Sequence, residues 1–318
     1  MKNSGKMNRK EFILSGSAAA AATILHGETF AAETAASQTA ATRGIRLKFL
    51  GTGAADWYKS RRTPDGRTEF RHWSSLLVEN SVYIDFTTHN YDMIAPEGQP
   101  GHAPKVCFYT HSHYDHYEPK AAIEKGVERV YMHESWAEEA KKEFAEAAAK
   151  LGKSAPTVTA VRFGEWYEEC GIKFMPLPAN HATERPHELA SIYLIEKGDA
   201  RLLYAVDTGG IMGAATRFAG IDAHRKIKPI TALIMEATIG LGHPAEYRIF
   251  NHSSVEQVKQ TIDAFTATGA YKPPVGQCAY ICHLTRMLYP CQETLDRQLE
   301  KFDPRIKAAY DGLELTLG

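Results

Sequence analysis

The sequence predicts an α/β (α+β) chain of four layers, two mixed β-sheets packed face to face with helices outside. Three observations carry that expectation. Hairpin-linked strands come before mixed strands and helices in both halves, an order that suits two packed sheets. No Pro/Gly/Ser-rich linker or low-complexity tract interrupts the chain after about residue 45, so residues 41–318 read as one domain. A 44% hydrophobic content over 318 residues is enough for a substantial core.

The elements follow in order. Ile45-Arg46-Leu47-Lys48-Phe49-Leu50 alternates apolar and basic residues and enters Gly51-Thr52-Gly53, an opening strand and a tight loop too short for a dinucleotide fingerprint. The polar span 58–71 reads as a long loop at the rim of a site. Residues 75–78 and 82–85, separated by Glu79-Asn80-Ser81, read as a hairpin. Residues 127–132 suit a strand, and 135–151, rich in Ala, Glu and Lys, an amphipathic helix. Residues 157–161, 172–176, 189–195 and 201–206 read together as a second β-rich block. A helical stretch at 212–219, a strand at 230–235 and a helix at 253–268 come next. Ser253 or Ser254 with Glu256 or Gln257 would cap that last helix. A strand-helix-strand pattern ends the chain.

Charge narrows the partners. Formal net charge is −1, with 37 Lys and Arg against 38 Asp and Glu, so no global basic field recruits nucleic acid. Arg61, Arg62, Arg67 and Arg71 form a local basic cluster whose simplest reading is a solvated loop. Five cysteines are too few for a disulfide scaffold and read mostly as small buried hydrophobes, with one disulfide as the alternative.

Residues 1–40 differ from all that follows: a basic start (Lys2, Lys6, Arg9, Lys10), an Ala-rich run over 13–25, then small polar residues. They read as an export signal and linker, too short and too interrupted by Ser15, Gly16 and Ser17 for a membrane span. Arg9-Lys10-Glu11-Phe12-Ile13-Leu14 resembles the twin-arginine export motif, with Lys10 where the second arginine is usual. The expectation is an exported, periplasmic protein whose mature form has no membrane span.

The chemistry gathers at His111-Ser112-His113-Tyr114-Asp115-His116-Tyr117, directly after the apolar run Val106-Cys107-Phe108-Tyr109. Imidazole and carboxylate suit zinc, manganese or iron, and an extended chain sets alternate residues on one side, where they can aim at one point. The competing reading is a solvated loop that happens to be rich in histidine.

With this His-x-His-x-Asp-His loop, the chain from about residue 45 onward resembles the metallo-β-lactamase superfamily of binuclear hydrolases. The resemblance implies a metallo-β-lactamase fold and a site closed by two further histidines and an aspartate at strand ends. His181 follows the apolar run at 174–177, Asp207 ends Leu202-Leu203-Tyr204-Ala205-Val206, and His283 ends Ala279-Tyr280-Ile281-Cys282. By resemblance, His111, His113 and His181 hold one divalent ion, Asp115, His116 and His283 a second, and Asp207 bridges them. Zinc is the first choice, with manganese or iron as alternatives. His187 competes with His181 but lacks a strand leading into it. Asp85, also at a strand end, is expected to support the loop through hydrogen bonds without being a ligand.

A second pair of motifs narrows the branch. Met235-Glu236-Ala237-Thr238 and Asn251-His252-Ser253-Ser254 resemble the Glu-Ala-Thr and His-Ser-Thr motifs of tRNase Z and of related cyclic-phosphate phosphodiesterases, and His283-Leu284-Thr285-Arg286 resembles their closing segment. The resemblance implies that His252 protonates the leaving oxygen after metal-hydroxide attack and that Glu236 orients it, with Asp115 also counted among the catalytic candidates. The plainer reading of His252 is a residue at a helix start.

No glycine- and proline-rich arm lies between His181 and Asp207, so a small anionic substrate is expected, a cyclic nucleotide, cyclic sugar phosphate or other small phosphodiester. Arg71 and Arg286 are candidate phosphate contacts. A lactonase or other carbon-ester hydrolase is the alternative on the same metals, and a non-catalytic metal-binding protein the third reading. A homodimer is left open.

Overall fold

The computed structural model describes residues 44–318 except 64–65, 222–227 and 244; the expected export signal and linker lie outside the described residues. Strand β1 (Ile45–Gly51) opens the fold, and β2 (Arg61–Arg62) and β3 (Thr68–Glu69) pair as a small separate hairpin. Next come β4 (Ser75–Val78), β5 (Val82–Ile84), β6 (Val106–Phe108), helix α1 (Pro119–Glu124), β7 (Arg129–His133), helix α2 (Glu134–Leu151) and β8 (Thr157–Val161). The second half holds β9 (Tyr167–Glu169), β10 (Ile172–Pro178), β11 (Ser191–Lys197), β12 (Ala200–Ala205), α3 (Gly213–Phe218), β13 (Ala232–Glu236), α4 (Val255–Ala267), β14 (Ala279–Cys282), α5 (Gln292–Phe302), β15 (Ile306–Ala308) and β16 (Glu314–Leu317).

The strands make two mixed seven-stranded sheets, in the orders β16-β1-β4-β5-β6-β7-β8 and β15-β14-β13-β12-β11-β10-β9. Each turns from antiparallel hairpins to parallel pairing, at β5 in the first and β12 in the second. Between them lies the central core, where Phe108 stacks on Phe174 at 4.0 Å amid Leu47, Ile84, Tyr193, Leu202 and Ile234. Two outer cores cover the other faces. Trp136, Ala137, Ala140, Phe144 and Ala148 of α2 recur at helical spacing and seal the first sheet with α1. Val255, Val258 and Ile262 of α4 and Leu295 and Leu299 of α5 seal the second. The four-layer expectation therefore holds.

Two expectations are corrected. Residues 157–161 do not join the second block: β8 pairs in parallel with β7 at the edge of the first sheet. A local pattern marks a strand without naming its partner, and β16 likewise returns to the first sheet beside β1. The span 58–71 is also no structureless loop. It holds the β2–β3 hairpin, pinned by Arg61, which donates to the carbonyls of Arg286, Tyr289 and Pro290. Among the five cysteines, all free, Cys107 and Cys282 are buried and Cys170 is exposed.

The sheets are tied at one edge by polar contacts. Arg129 Nε and Nη2 on β7 donate to the Glu169 carboxylate on β9 at 3.0 and 3.0 Å, and Tyr131 Oη donates to it at 2.6 Å. The Arg129 hydrogen bonds outweigh partial burial and, with Tyr131, pull Glu169 down to about 2. Its contribution is complete above the ordinary carboxylate range and disappears as pH falls through about 2. Glu169→Gln should cost about 1 kcal/mol at neutral pH, and urea titrations at neutral and strongly acid pH should show the gap from wild type closing in acid.

Candidate metal centre

The site forms where the carboxyl ends of strands from both sheets meet. Asp85 follows β5, the His111–His116 loop follows β6, His181 follows β10, Asp207 follows β12, Glu236 ends β13 and His283 follows β14. Asp85, Asp207 and His283 adopt left-handed backbone, with φ of 54°, 54° and 55°. That region is costly for residues other than glycine and is seen where surrounding structure enforces it. Here it turns each chain sharply so that the side chain points inward. At Gly51 a Cβ would stand 1.9 Å from the Trp73 carbonyl oxygen, so only glycine lets the Gly51–Gly53 loop pack there. That loop grips the residue after His283 through Leu284 N–H to Thr52 O at 2.9 Å.

Five imidazoles converge, and each has its outer nitrogen occupied. His116 Nδ1 donates to Asp85 Oδ2 at 2.8 Å and His181 Nδ1 to Asn251 O at 3.0 Å, while His113 Nε2 lies 3.1 Å from Glu184 Oε2 as an ion pair. Thr110 Oγ1 gives its proton to Asp85 Oδ2, so it accepts from His111 Nδ1 at 2.9 Å. Thr238 Oγ1 gives its proton to Glu236 Oε2 and therefore accepts from His283 Nδ1 at 2.7 Å. These partners hold the outer nitrogens and turn five inner nitrogens toward one another.

The inner atoms fall into two groups around Asp207. His111 Nε2 lies 2.9 Å from His113 Nδ1, which lies 3.1 Å from His181 Nε2. His116 Nε2 and His283 Nε2 are 3.3 Å apart, with Asp115 Oδ2 at 3.4 and 3.5 Å from them. Asp207 Oδ2 stands 3.3 Å from His111, 3.0 Å from His116 and 3.7 Å from His181. Ligands about 2.0–2.1 Å from a tetrahedral ion sit ~3.3 Å apart, so this spacing fits divalent cations. The same groupings satisfy metal-site geometry as sets: His111, His113, His181 and Asp207, and Asp115, His116 and His283.

Electrostatics agree. Burial works against ionised Asp207, but His283, His116 and His181 hold it well below the usual carboxylate range. Burial also opposes charge on His116, yet Asp115, Asp207 and Asp85 raise its proton affinity strongly. Burial and His116 keep His111 neutral, as a ligand must be. Asp207 Oδ1 is buried without a hydrogen-bond donor, although His283 Nδ1 lies 3.0 Å away, because that nitrogen serves Thr238. A buried carboxylate oxygen lacking a donor is what a cation would satisfy.

The other site candidates sort by position. His252 lies beside this cluster, its Nδ1 3.2 and 3.1 Å from the Glu236 oxygens and 3.5 Å from Asp207 Oδ1. Burial opposes its charge, but Glu236 and then Asp207 raise it to about 9. Glu236 is fully buried and also accepts from Thr208 N–H at 2.5 Å, which fixes the turn after Asp207. His187 is half exposed and pairs with Glu139, away from the cluster. Arg71 is corrected: it is buried, with donors taken by Thr52 Oγ1, Ala309 O and Gln292 Oε1, and it does not line the site. Arg286 stands one step back. It bonds to Asp56 through its backbone N–H and Nε and leans over the Tyr58 ring.

A cleft of about 280 Å³ opens over the centre, walled by His113, Asp115, His181, Asp207, His252 and His283 with Asp56, Tyr114, Glu184, Thr238, Arg248 and Thr285. Several of these carried no sequence signal. Glu188 is another: its carboxylate accepts from the Ser112 N–H at 2.7 Å and from the Ser112 hydroxyl, clamping the histidine loop. Asp85→Asn keeps a residue that tolerates left-handed backbone and loses the carboxylate that holds His116 and, through Thr110, His111. It should weaken metal affinity about 10- to 100-fold. Competition with a chelating dye measures this, and unchanged affinity would contradict the role given to Asp85.

Comparison with known proteins places these features in a family. The family model described as Beta-lactamase superfamily domain matches residues 85–272, from the supporting Asp85 past His252. Among solved structures, Zn(2+)-bound PqqB from Methylobacterium extorquens superposes with TM-score 0.62 at 16% identity, covering 86% of this chain and 100% of that one. Human tRNase Z, short form, gives TM-score 0.58 at 12% identity, covering 86% and 99%. A diphosphatase from the PhnP family gives TM-score 0.52 at 20% identity, covering 86% and 100%. At these identities the likeness is one of fold. A comparison with curated protein sequences finds no match.

Proposed function

Because the chain belongs to the beta-lactamase superfamily and has the metallo-β-lactamase fold of its metal-dependent hydrolases, we propose that it is an exported phosphodiesterase acting on a small or cyclic phosphodiester. His111, His113 and His181 would hold one divalent ion, Asp115, His116 and His283 another, with Asp207 between them. Zinc suits the nitrogen-rich set, and manganese or iron the carboxylates. When bound, such ions supply Lewis-acid charge at the phosphoryl oxygens and make water a nucleophile at neutral pH.

The observation that carries the choice of bond is the His252–Glu236 pair. A phosphodiester departs as an alkoxide that needs a proton, and His252 is the group beside the cluster able to give one. Glu236 holds Nδ1, so Nε2 is the nitrogen left for the cleft, and the buried carboxylate keeps the proton on the ring until it is needed. Thr238 links the same glutamate to His283, so the donor and the metal ligand share one support. A carbon ester also expels an alkoxide, so the pair favours phosphodiester cleavage through the likeness of its two motifs to those of the cyclic-phosphate phosphodiesterases, and turnover of matched substrates decides between the two bonds.

Export rests on the composition of residues 1–40. No helix among the described residues is long and apolar enough to cross a membrane. The deciding experiment is turnover of cyclic nucleotides, cyclic sugar phosphates, linear phosphodiesters and lactones with defined metals. Phosphodiester cleavage is expected, and robust lactone turnover without it would overturn the proposal.

A further inference from the structure

Among the described residues Arg248 is the only lysine or arginine lining the cleft, and the proposed phosphodiester chemistry leaves it without a task. It lies in the short 3-10 helix Tyr247–Phe250, four residues before His252, whose backbone N–H donates to Arg248 O at 2.8 Å. Glu246 fixes it twice, accepting from the Arg248 backbone N–H at 2.7 Å and from Nε at 2.8 Å. No described residue hydrogen-bonds its two terminal NH2 groups, so the planar fork that binds carboxylate or phosphate in bidentate fashion remains open. The side chain is 26% exposed, and this partial burial strengthens any charged contact it makes.

Its position says which part of a substrate it would meet. The same segment supplies Asn251 O to His181 and carries His252, so Arg248 stands on the side from which the leaving oxygen is protonated. Glu184, 83% exposed and paired to His113, also lines the cleft and would repel an anion placed beside it. The scissile diester has a single negative charge, and that charge faces the metal-ligand cluster. A second anionic group on the leaving portion would be turned away from Glu184 and toward the Arg248 fork.

Resting on the phosphodiesterase reading, we infer that Arg248 selects substrates whose leaving portion carries an additional anionic group, a phosphate monoester or carboxylate. Glu246 is its positioning residue. The site would then discriminate between otherwise identical cyclic phosphates by the charge at their far end, since a bidentate contact to a charged group is worth about 10- to 100-fold in affinity.

Adenosine 2′,3′-cyclic phosphate with and without a 5′-phosphate provides a matched pair, because the 5′-phosphate rides on the leaving ribose. Wild type, metal-loaded, should favour the 5′-phosphorylated form by at least about tenfold in kcat/KM, mainly through KM. Arg248→Gln should abolish that preference and Arg248→Lys restore part of it, as a point charge replaces a fork. A binding arm separates the two layers of the argument. Adenosine 3′,5′-bisphosphate should bind wild type more tightly than adenosine 3′-phosphate by calorimetry, and Arg248→Gln should bind both alike with metal content unchanged. If neither cyclic phosphate is cleaved but the bisphosphate preference stands and depends on Arg248, the anion clamp survives and the phosphodiesterase reading falls. If wild type shows no preference in either arm, or if Arg248→Gln loses both substrates equally, the clamp is overturned.

Discussion

Asp207→Ala is expected to purify with little bound divalent metal and with hydrolytic activity reduced well beyond the about 10- to 100-fold that loss of an outer supporting partner brings. Asp207 is the group that both imidazole clusters share. Its Oδ2 faces His111, His116 and His181, and its Oδ1 faces His283 and His252. Removing it takes one negative charge from a buried cluster of imidazoles that would then repel one another and any cation. The variant should also lose the stabilisation that metal confers, so its melting temperature should no longer rise when zinc is added. Elemental analysis alongside His252→Ala is the measurement, because equal metal loss from the two variants would refute the division between ligand and proton donor.

His252→Ala should retain its metal and lose activity in a way that depends on the leaving group. An alkoxide needs a proton as the bond breaks, so cyclic and alkyl diesters should slow by about 10²- to 10⁴-fold. p-Nitrophenolate departs unprotonated, so bis-p-nitrophenyl phosphate should slow far less. Kinetics on a series of diesters with graded leaving groups would display this as a steeper dependence in the variant than in wild type. A uniform loss across the series would mean that His252 shapes the cleft and does not donate. Glu236→Gln should share the pattern more weakly, and it should also loosen the turn at Thr208, which its carboxylate holds.

How much of this could be read from residues alone depends on how local each feature is. His111, His113, Asp115 and His116 were legible because one loop carries them. His181, Asp207 and His283 were reached through family resemblance and strand-end position, and each stands among the inner atoms of the cluster. Arg71 misled because nothing in its neighbourhood of sequence says whether an arginine faces a cleft or a core. Its partners Gln292 and Ala309 come from more than two hundred residues away. Glu188 was unreadable for the same reason, since an acid in a loop is ordinary until the fold brings it to Ser112, and Arg248, although only four residues before His252, carries no local sign that it lines the cleft. The strand β8 shows the matching limit for topology: its pattern was correct and its sheet was not, because pairing is decided by β7 and the intervening helix.

The left-handed backbone at Asp85, Asp207 and His283 has a consequence for laboratory evolution. Each such residue costs about 1–3 kcal/mol, relieved when glycine takes its place. A selection for heat resistance run in the presence of a chelator would therefore enrich glycine most at Asp207, whose Oδ1 has no donor, and least at Asp85, whose carboxylate holds Thr110 and His116, and would deliver robust, inert variants. The same selection run with metal should spare them, so the identity of those three residues among survivors would report whether stability and catalysis had been pulled apart.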